Sequence, residues 1–185
     1  MNQFTFLQKL RNKIRIKGSN NKVIIDDRKS LKLVNTKIYI KGQNNTLHIK
    51  RSANIRNTFI EIVGDNCKIS IGENCIIGYD CYLSAKEDNT VLIIDDDCML
   101  SRNVKLMTSD GHPIYHKSEV INKAKNITVH KKVWLADNVT ILKGVEVGHD
   151  SVVGINSVLT KSISSHSIAA GNPAKVIKQE VTWAH

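Results

Sequence analysis

Aromatic residues are scarce in this sequence, and their scarcity limits what it can specify. Only 5% of the 185 residues are aromatic, so a large core has to be built from aliphatic side chains. The few rings also offer little surface on which nucleic-acid bases can stack, and nucleic acid is therefore not an expected partner.

Long apolar runs are also missing. No stretch is long enough to span a bilayer, and the N-terminal segment lacks the charge order and cleavage site of a secretory signal. The sequence therefore predicts a cytoplasmic protein whose association with membranes, if any, is peripheral.

Acidic residues are nearly absent from the first third of the chain. Residues 1–60 contain 14 Lys and Arg but only Asp26 and Asp27, whereas the whole chain carries a net charge of +10. A basic third on a nearly neutral remainder suggests an acidic partner, such as a polyanionic glycan or an anionic membrane. A solvated basic surface is the structural alternative.

A six-residue repeat dominates the second half of the chain. Aliphatic residues lead each repeat: Val129, Leu135, Ile141, Val147, Val153 and Leu159. Small or β-branched residues follow four positions later: Val133, Val139, Val145, Ser151, Ser157 and Ile163. No helix has this period, whereas one short strand and one corner together take six residues. Asn138, Asp150 and Asn156 suit the left-handed backbone of such corners, so three repeats predict one triangular coil of 18 residues in a stacked solenoid.

The repeat continues upstream in a less regular form. Two more blocks keep the spacing: Ile71, Ile77 and Leu83, then Ile94, Leu100 and Leu106. The segment AKEDNT between them is predicted to be an insertion. We therefore expect a single domain, 1–185, made of irregular basic coils (1–60), regular hexads (61–107 and 127–163), an extruded loop (108–126) and a C-terminal cap (164–185).

Four cysteines stand where Val or Ser stands in other repeats: Cys67, Cys75, Cys81 and Cys98. Free cysteine behaves as a small buried hydrophobe. Because no CxxC pair is present, a structural role is predicted rather than a disulfide or a zinc site.

The hexads VWLADNVTILKGVEVGHDSVVGINSVLTKSI and the segment IAAGNPAKVIK resemble the hexapeptide-repeat acyltransferases over about residues 63–180. That resemblance implies an all-β solenoid, the left-handed parallel β-helix. The segments TSDGHPIY, VWL and EVTW are most similar to O-acetyltransferases of bacterial capsule and O-antigen polysaccharides, including those that modify polysialic acid. The resemblance further implies acetyl-CoA as cosubstrate, no metal, and a homotrimer with active sites between subunits.

The loop at 108–126 interrupts the repeat, and long loops in compact domains are usually functional or disordered. A sugar hydroxyl attacks poorly until a base takes its proton, and a neutral imidazole suits that task near pH 7. The resemblance places His112 at the catalytic position, for direct attack on the thioester. Asp110 and Tyr115 are the candidates for orienting that ring or binding the acceptor, and His116 is expected at the rim.

Trp134 is a large ring in a repeat of small residues, at a position expected to point outward. The resemblance assigns it to the catalytic site, where it would offer a flat face to a sugar or to pantetheine and an N–H to the reacting oxygen. Packing against the histidine loop or a neighbouring subunit is the alternative.

The resemblance also implies the acetyl-CoA site. Ala136, Gly154 and Ile155 match positions along the pantetheine arm, although Ala136 replaces a common glycine and Ile155 is unusually bulky. The positions near the adenosine phosphates are Thr160, Lys161 and Lys175, where cations suit the charge. Pro173 is expected to end the last hexad, before a segment that folds back over the site.

Other functions stay open at this point. One is N-acetylation of an amino sugar nucleotide, and another is non-enzymatic binding of polyanions. A third is a γ-class carbonic anhydrase, which shares the β-helix and binds zinc through three histidines. Its candidate ligands here are His112, His116, His130 and His149, although the last two are expected to be solvated corner residues.

The basic residues after position 15 are predicted to form a track beside the active site for an acidic glycan such as polysialic acid. Its representative members are Lys37, Lys41, Arg51 and Arg56. Residues 1–15 are predicted to cap the open end of the solenoid. The alternative is a short amphipathic membrane helix with one apolar face: Phe4, Leu7, Leu10 and Ile14.

Overall fold

The computed structural model of the chain describes residues 4–184, apart from the side chain of Phe6. One short helix, α1 (Phe6–Arg11), opens it. Thr5 caps the helix, because its hydroxyl accepts the backbone N–H of Gln8 while the Gln8 side chain accepts the N–H of Thr5. None of the described helices is both long and apolar enough to cross a membrane.

The strands form three faces of a triangular coil, which the chain visits in the order one, two, three. Face one contains β1 (Lys13–Lys17), β4 (Lys37–Lys41), β7 (Phe59–Val63), β10 (Tyr82–Lys86), β13 (Lys105–Met107), β18 (Thr140–Leu142) and β21 (Val158–Leu159). Face two contains β2 (Lys22–Ile25), β5 (Thr46–Ile49), β8 (Lys68–Ile71), β11 (Val91–Ile94), β16 (Ile127–Val129) and β19 (Glu146–Val147). Face three contains β3 (Lys32–Val34), β6 (Asn54–Arg56), β9 (Ile76–Ile77), β12 (Met99–Leu100), β17 (Trp134–Leu135), β20 (Val152–Val153), β22 (Ile168–Gly171) and β23 (Ala174–Lys178). A separate hairpin pairs β14 (Tyr115–His116) with β15 (Glu119–Val120).

Burial alternates along the strands because successive side chains point to opposite faces of a sheet. In β4 the side chains of Ile38 and Ile40 are buried, whereas Lys37 and Lys41 are exposed. The inward side chains form one aliphatic core that runs from Phe4 to Ala169. Strands on each face pair in parallel, except β22 and β23, which are antiparallel across a turn that contains Pro173.

The length of a coil changes along the solenoid. Partners on face one are 22 to 24 residues apart in the first four coils, and 35 residues apart where the loop is inserted. The 18-residue coil predicted from the hexads occurs between Thr128 and Val158. Earlier coils are longer because their strands are longer, as in the five-residue β10, and because their corners hold extra residues, such as 87–90. The AKEDNT segment is therefore only partly an insertion, since Ala85 and Lys86 belong to β10.

The corners have the left-handed backbone conformation that the sequence predicts. Asn138, Asp150 and Asn156 have φ angles of 61°, 58° and 57°. Their side chains also join neighbouring coils, since the Asn138 amide accepts from Asn103 and donates to Asn156, at 2.9 Å in both cases. Asn thus serves both the turn and the stacking.

The four cysteines are free and buried, in agreement with a structural role. Each thiol donates to a carbonyl oxygen of the next coil, as in the 3.0 Å contact from Cys75 Sγ to Asp95 O. Burial raises the pKa of the Cys81 thiol to about 11.

The N-terminal segment packs on the first coil. Phe4 is 5% exposed and belongs to the core, and Ile14 packs against that core from β1. The side chain of Asn12 ties the end of the helix to the carbonyl oxygen of Leu33, at 3.0 Å. Leu7 and Leu10 stay exposed, so the predicted single apolar face, which included Phe4 and Ile14, is not formed. Residues 1–3 of the predicted cap lie outside the described residues.

Candidate active site

The histidine loop leaves face one after β13 and returns at β16, so it lies at the edge between faces one and two. Its base is closed by a 2.9 Å bond from Lys125 N to Thr108 O. The buried Thr108 hydroxyl also accepts the N–H of Lys86, at 2.9 Å. The two ends of the loop are therefore held together by hydrogen bonds at a corner of the coil.

Two charged residues of neighbouring coils hold the loop from opposite sides. On the N-terminal side, the Glu87 carboxylate accepts from the Ser109 hydroxyl and from Ala124 N. On the C-terminal side, Lys143 Nζ lies 2.5 Å from Asp110 Oδ2. The Lys143 ammonium is the main reason why the pKa of Asp110 is lowered.

Asn122 organises the inside of the loop. Its amide nitrogen donates to Asp110 Oδ2 and to the carbonyl oxygen of His112, at 2.9 Å each. Its carbonyl oxygen accepts the N–H of Ile114, at 2.6 Å. Sequence reasoning missed Asn122 and Lys143, because their roles depend on contacts that no motif or repeat in the sequence indicates.

His112 is exposed, and its backbone is fixed by Asn122. Within residues 4–184 its imidazole makes no hydrogen bond to another residue. Asp110 is held by Lys143 and Asn122 instead, so its predicted contact with the ring of His112 stays a prediction. Tyr115 and His116 are exposed on the hairpin.

Trp134 lies on the outside of β17 and is half-buried. Its indole N–H donates to Ser101 Oγ at 3.1 Å. Ser101 follows β12 and lies at the edge between faces three and one. On the other side its ring meets that of Trp183, with centroids 6.0 Å apart and a 45° tilt. The sequence analysis left open that Trp134 packs against the histidine loop or a neighbouring subunit. Within this chain, Trp134 instead packs against the C-terminal tail.

The predicted acetyl-CoA positions lie at two edges. Ala136 and Gly154 occupy consecutive coils at the edge between faces three and one, and Ile155 next to Gly154 is 60% exposed. Thr160 and Lys161 follow β21, at the edge between faces one and two. Lys175 is exposed on β23. Ala136 and Gly154 therefore lie on the coil edge directly after Trp134, and Lys175 lies close to that edge, because it pairs with Ala170, which packs on Gly154. Only Thr160 and Lys161 of the predicted phosphate positions lie at a different edge.

One described cluster could hold a metal by proximity, since ligand atoms of His149, Asp150 and His166 lie within 4.8 Å of one another. Asp150 is already engaged, because Oδ2 lies 3.0 Å from His149 Nδ1 and Oδ1 lies 3.0 Å from Lys132 Nζ. These partners, His149 first and Lys132 second, lower the pKa of Asp150 to about 2. Of the four predicted zinc candidates, only His149 belongs to this cluster, while His130 lies beside Asp95.

The basic residues of the first third lie on different faces. Lys37 and Lys41 point outward from face one, where β1 adds Lys13, Arg15 and Lys17. Arg51 lies at another edge and binds Glu73 at 2.6 Å, and Arg56 is on face three. The four residues predicted as one track are therefore not on one face.

The chain is similar to named O-acetyltransferases in sequence and in structure. Polysialic acid O-acetyltransferase of Escherichia coli O1:K1 is 39% identical over 140 residues, which are 75% of this chain and 44% of that protein. Galactoside O-acetyltransferase of Escherichia coli K12 is 34% identical over 70% of this chain and 68% of its own length. The chain thus spans less than half of the first relative. No family model matches the chain.

Among solved structures, the polySia-specific acetyltransferase NeuO superposes with a TM-score of 0.75 and 34% identity, over 95% of this chain and 89% of the other. The polysialic acid O-acetyltransferase OatWY gives a TM-score of 0.69 and 28% identity, over 93% and 90%. The predicted fold class, a left-handed parallel β-helix of hexapeptide repeats, is confirmed.

Proposed function

Because the chain belongs to the hexapeptide-repeat acyltransferase family, we propose that it transfers an acetyl group from acetyl-CoA to a hydroxyl group of a surface-polysaccharide sugar. The relatives named above support transfer to oxygen, since both are O-acetyltransferases by name. The observation that carries the proposal is the anchored loop, which presents His112 to solvent from a fixed backbone.

In the proposed reaction, neutral His112 takes the proton of the acceptor hydroxyl as its oxygen attacks the thioester carbonyl carbon. The tetrahedral intermediate collapses, the carbon–sulfur bond breaks, and the thiolate of CoA receives the proton from His112. No covalent enzyme intermediate is required. When bound along Ala136 and Gly154, acetyl-CoA would pass beside Trp134, whose N–H is oriented toward that edge.

We further propose that each site is completed by a second subunit of a homotrimer. The loop with His112 lies at the edge between faces one and two, whereas Trp134 lies on face three. A neighbouring chain that packs against face three would bring its own loop toward Trp134. This arrangement gives each trimer three equivalent sites.

An acidic glycan is the proposed acceptor. The outward side chains of β1 and β4 on face one are cationic, apart from Tyr39; we call the cationic set the basic stripe: Lys13, Arg15, Lys17, Lys37 and Lys41. Strands on one face are about 4.8 Å apart, so β4 and β1 lie about 14 and 19 Å from β13, where the loop begins. A polymer bound on the stripe would therefore reach the loop within a few sugar units. The name of the relative that acts on polysialic acid supports this choice.

The first experiment incubates the protein and acetyl-CoA with a panel of glycans, followed by mass spectrometry. Polysialic acid, a neutral polysaccharide and an amino sugar nucleotide are the three informative substrates. We expect an acetyl ester, removable by mild base, on the acidic polymer. An amide product would indicate N-acetylation instead, and the absence of a product on every acceptor would contradict the proposed acetyltransferase activity.

The cytoplasmic location of the protein stays a prediction.

The second experiment replaces His112 with Ala. We expect turnover to fall by about a hundredfold or more, because the base is lost. The melting temperature and CoA affinity should stay unchanged, since His112 is exposed and outside the core. His116→Ala, an exposed histidine of the same loop, is the matched control. Turnover of His112→Ala close to that of the control would overturn the assignment.

A further inference from the structure

The C-terminal tail, residues 181–183, runs across three consecutive coils at the edge between faces two and three. Val181 N donates to His166 O at 3.1 Å, and Val181 O lies 3.2 Å from His166 Nδ1. The Thr182 hydroxyl bridges Asp150 and Lys132, at 3.1 Å each. Successive residues of the tail thus form hydrogen bonds to successive coils, starting at the C-terminal coil.

The tail ends on the tryptophan of the candidate site. Trp183 Nε1 donates to the carbonyl oxygen of Lys132 at 2.7 Å, two residues before Trp134. Trp183 therefore meets Trp134 from the edge between faces two and three. The indole N–H of Trp134 is directed the opposite way, toward Ser101 and the edge that carries Ala136. One side of the Trp134 ring is thus supported, and the other faces the proposed pantetheine edge.

The corners that hold the tail are unusual in sequence. Asn74, Asp97 and Asp150 occupy the left-handed position at this edge, which favours such residues. Lys132 and His166 take the same position, with φ angles of 55° and 56°, although their side chains suit it less well. Both of these residues bind the tail. The tail therefore also contacts two corners whose side chains suit the left-handed backbone less well.

The tail is not part of the core that supports the coils. The aliphatic core ends at Ala169, and β23 is exposed over Lys175 to Lys178. Val181 and Trp183 are half-buried against the outside of the solenoid. The contact between the rings should therefore contribute to the orientation of Trp134 and little to the stability of the fold.

From these contacts we infer that Trp183 is a positioning residue for acetyl-CoA binding, which acts by holding the ring of Trp134 against the pantetheine edge. The inference rests on the proposed function, because it takes Trp134 as a residue that contacts acetyl-CoA. Paired aromatic rings prefer tilted arrangements such as this one. Without Trp183, the Trp134 ring can turn into the space that the tail vacates.

The geometry can be tested without any substrate. Trp134 and Trp183 are the only tryptophans in the sequence, so their mutual coupling is isolated in the near-ultraviolet circular dichroism spectrum. We expect a coupling signal in the parent protein that is lost in both Trp134→Phe and Trp183→Phe. The additive reference is the sum of the two single-tryptophan spectra minus the spectrum of the double variant Trp134→Phe/Trp183→Phe, because the tyrosines contribute to each. A parent spectrum equal to that reference would show that the rings do not pair, and would overturn the inference.

The kinetic test compares Trp183→Ala, Trp183→Phe and Trp134→Ala with acetyl-CoA and polysialic acid as substrates. We expect Trp183→Ala to raise the KM for acetyl-CoA about threefold to tenfold, with kcat changed less than twofold. Trp183→Phe should recover part of the loss, because it keeps a ring. Ile177→Ala, on the exposed strand β23 before the tail, is the control and should match the parent.

A double substitution separates this inference from the proposed function. If Trp183 acts through Trp134, the double variant Trp134→Ala/Trp183→Ala has the same KM for acetyl-CoA as Trp134→Ala alone. Additive effects would contradict that mechanism. If Trp134→Ala raises KM and Trp183→Ala does not, the positioning role is wrong and the proposed function stands. If neither changes KM while His112→Ala loses turnover, the assignment of Trp134 itself is wrong.

Discussion

At the scale of single residues, the candidate site depends on polar side chains whose identity the repeat does not specify. Asn122 bonds to Asp110, His112 and Ile114, so one amide sets the shape of the exposed part of the loop. Lys143 fastens the same loop to the next coil, with Nζ also 2.5 Å from Asn122 O. A loop held this way keeps His112 at a defined place without any help from the core.

Replacement of Lys143 with Met tests this anchoring. We expect kcat/KM to fall about tenfold, because a small displacement of a catalytic group is costly, while the melting temperature changes little. Lys123→Met, an exposed lysine of the same loop, is the control. Faster amide exchange confined to the loop should accompany the loss, and full activity of Lys143→Met would show that the anchor is dispensable.

The ion pair between Lys143 and Asp110 is lost at acid pH. Because the folded-state pKa of Asp110 is lowered from 3.8, its pairing with Lys143 stabilises the folded chain fully above that value. The contribution is lost as pH falls through the lowered pKa. At neutral pH the anchor is therefore insensitive to pH.

At the scale of the elements, each face of the solenoid carries its own outward chemistry. The first two strands of face one carry the basic stripe, whereas later strands of that face carry Phe59 and Tyr82, which stack with centroids 5.4 Å apart. The outward side chains of the later strands of face three form an apolar column: Ile76, Met99, Trp134, Val152 and Ile168. Function on such a fold is therefore divided among faces, and the parallel register aligns each set in a straight line.

The basic stripe predicts how the acceptor binds. Replacing Lys13, Lys37 and Lys41 with Glu should raise the KM for polysialic acid about tenfold, with acetyl-CoA binding unchanged. In the parent protein, salt should raise that KM, because charges on the surface are screened over about 8 Å at physiological ionic strength.

The matched control reverses the same number of charges elsewhere, at Arg28, Lys29 and Arg56, which are exposed away from face one. We expect this control to keep the parent KM. Equal effects in the two triple variants would indicate an effect of net charge alone, and a KM insensitive to salt would rule out a docking role for the stripe.

At the scale of the whole molecule, face three carries an apolar column that the chain itself covers only in part, where Trp183 packs on Trp134. The column consists of Ile76, Met99, Trp134, Val152 and Ile168, which follow one another in register. Ile76 is 37% exposed at one end of it. A second copy of the chain is the partner expected from the proposed trimer.

Sedimentation should therefore give a mass of about 62 kDa, three times the 20.7 kDa of one chain. Val152→Glu places a charge in the apolar column and should yield monomers with little turnover. Thr46→Glu on face two, between Lys22 and Lys68, is the control and should stay trimeric. A parent protein that sediments as a monomer at micromolar concentration would contradict both the trimer and the shared site.

The sequence by itself determined the solenoid. Hexad leads such as Leu135 and Val153 became stacked inward residues, because a period of six fits one strand and one corner in every coil. Left-handed corners at Asn138 and Asn156 followed for the same local reason. The position of the histidine loop was also readable, since it is the place where the period stops.

Only the tertiary structure decided which residues meet across coils. Contacts of Lys143 with Asp110 and of Trp183 with Lys132 join residues 33 and 51 positions apart, and no periodic pattern encodes them. The division of the basic residues among faces likewise depends on the length of each early coil, which varies from 22 to 24 residues and so shifts outward positions from face to face. The repeat determines the inward side chains, because only aliphatic or small residues fill the core. Outward side chains are exposed to solvent, so the repeat does not restrict them to one residue type. The site is built from those outward residues, so its geometry follows from how the coils stack.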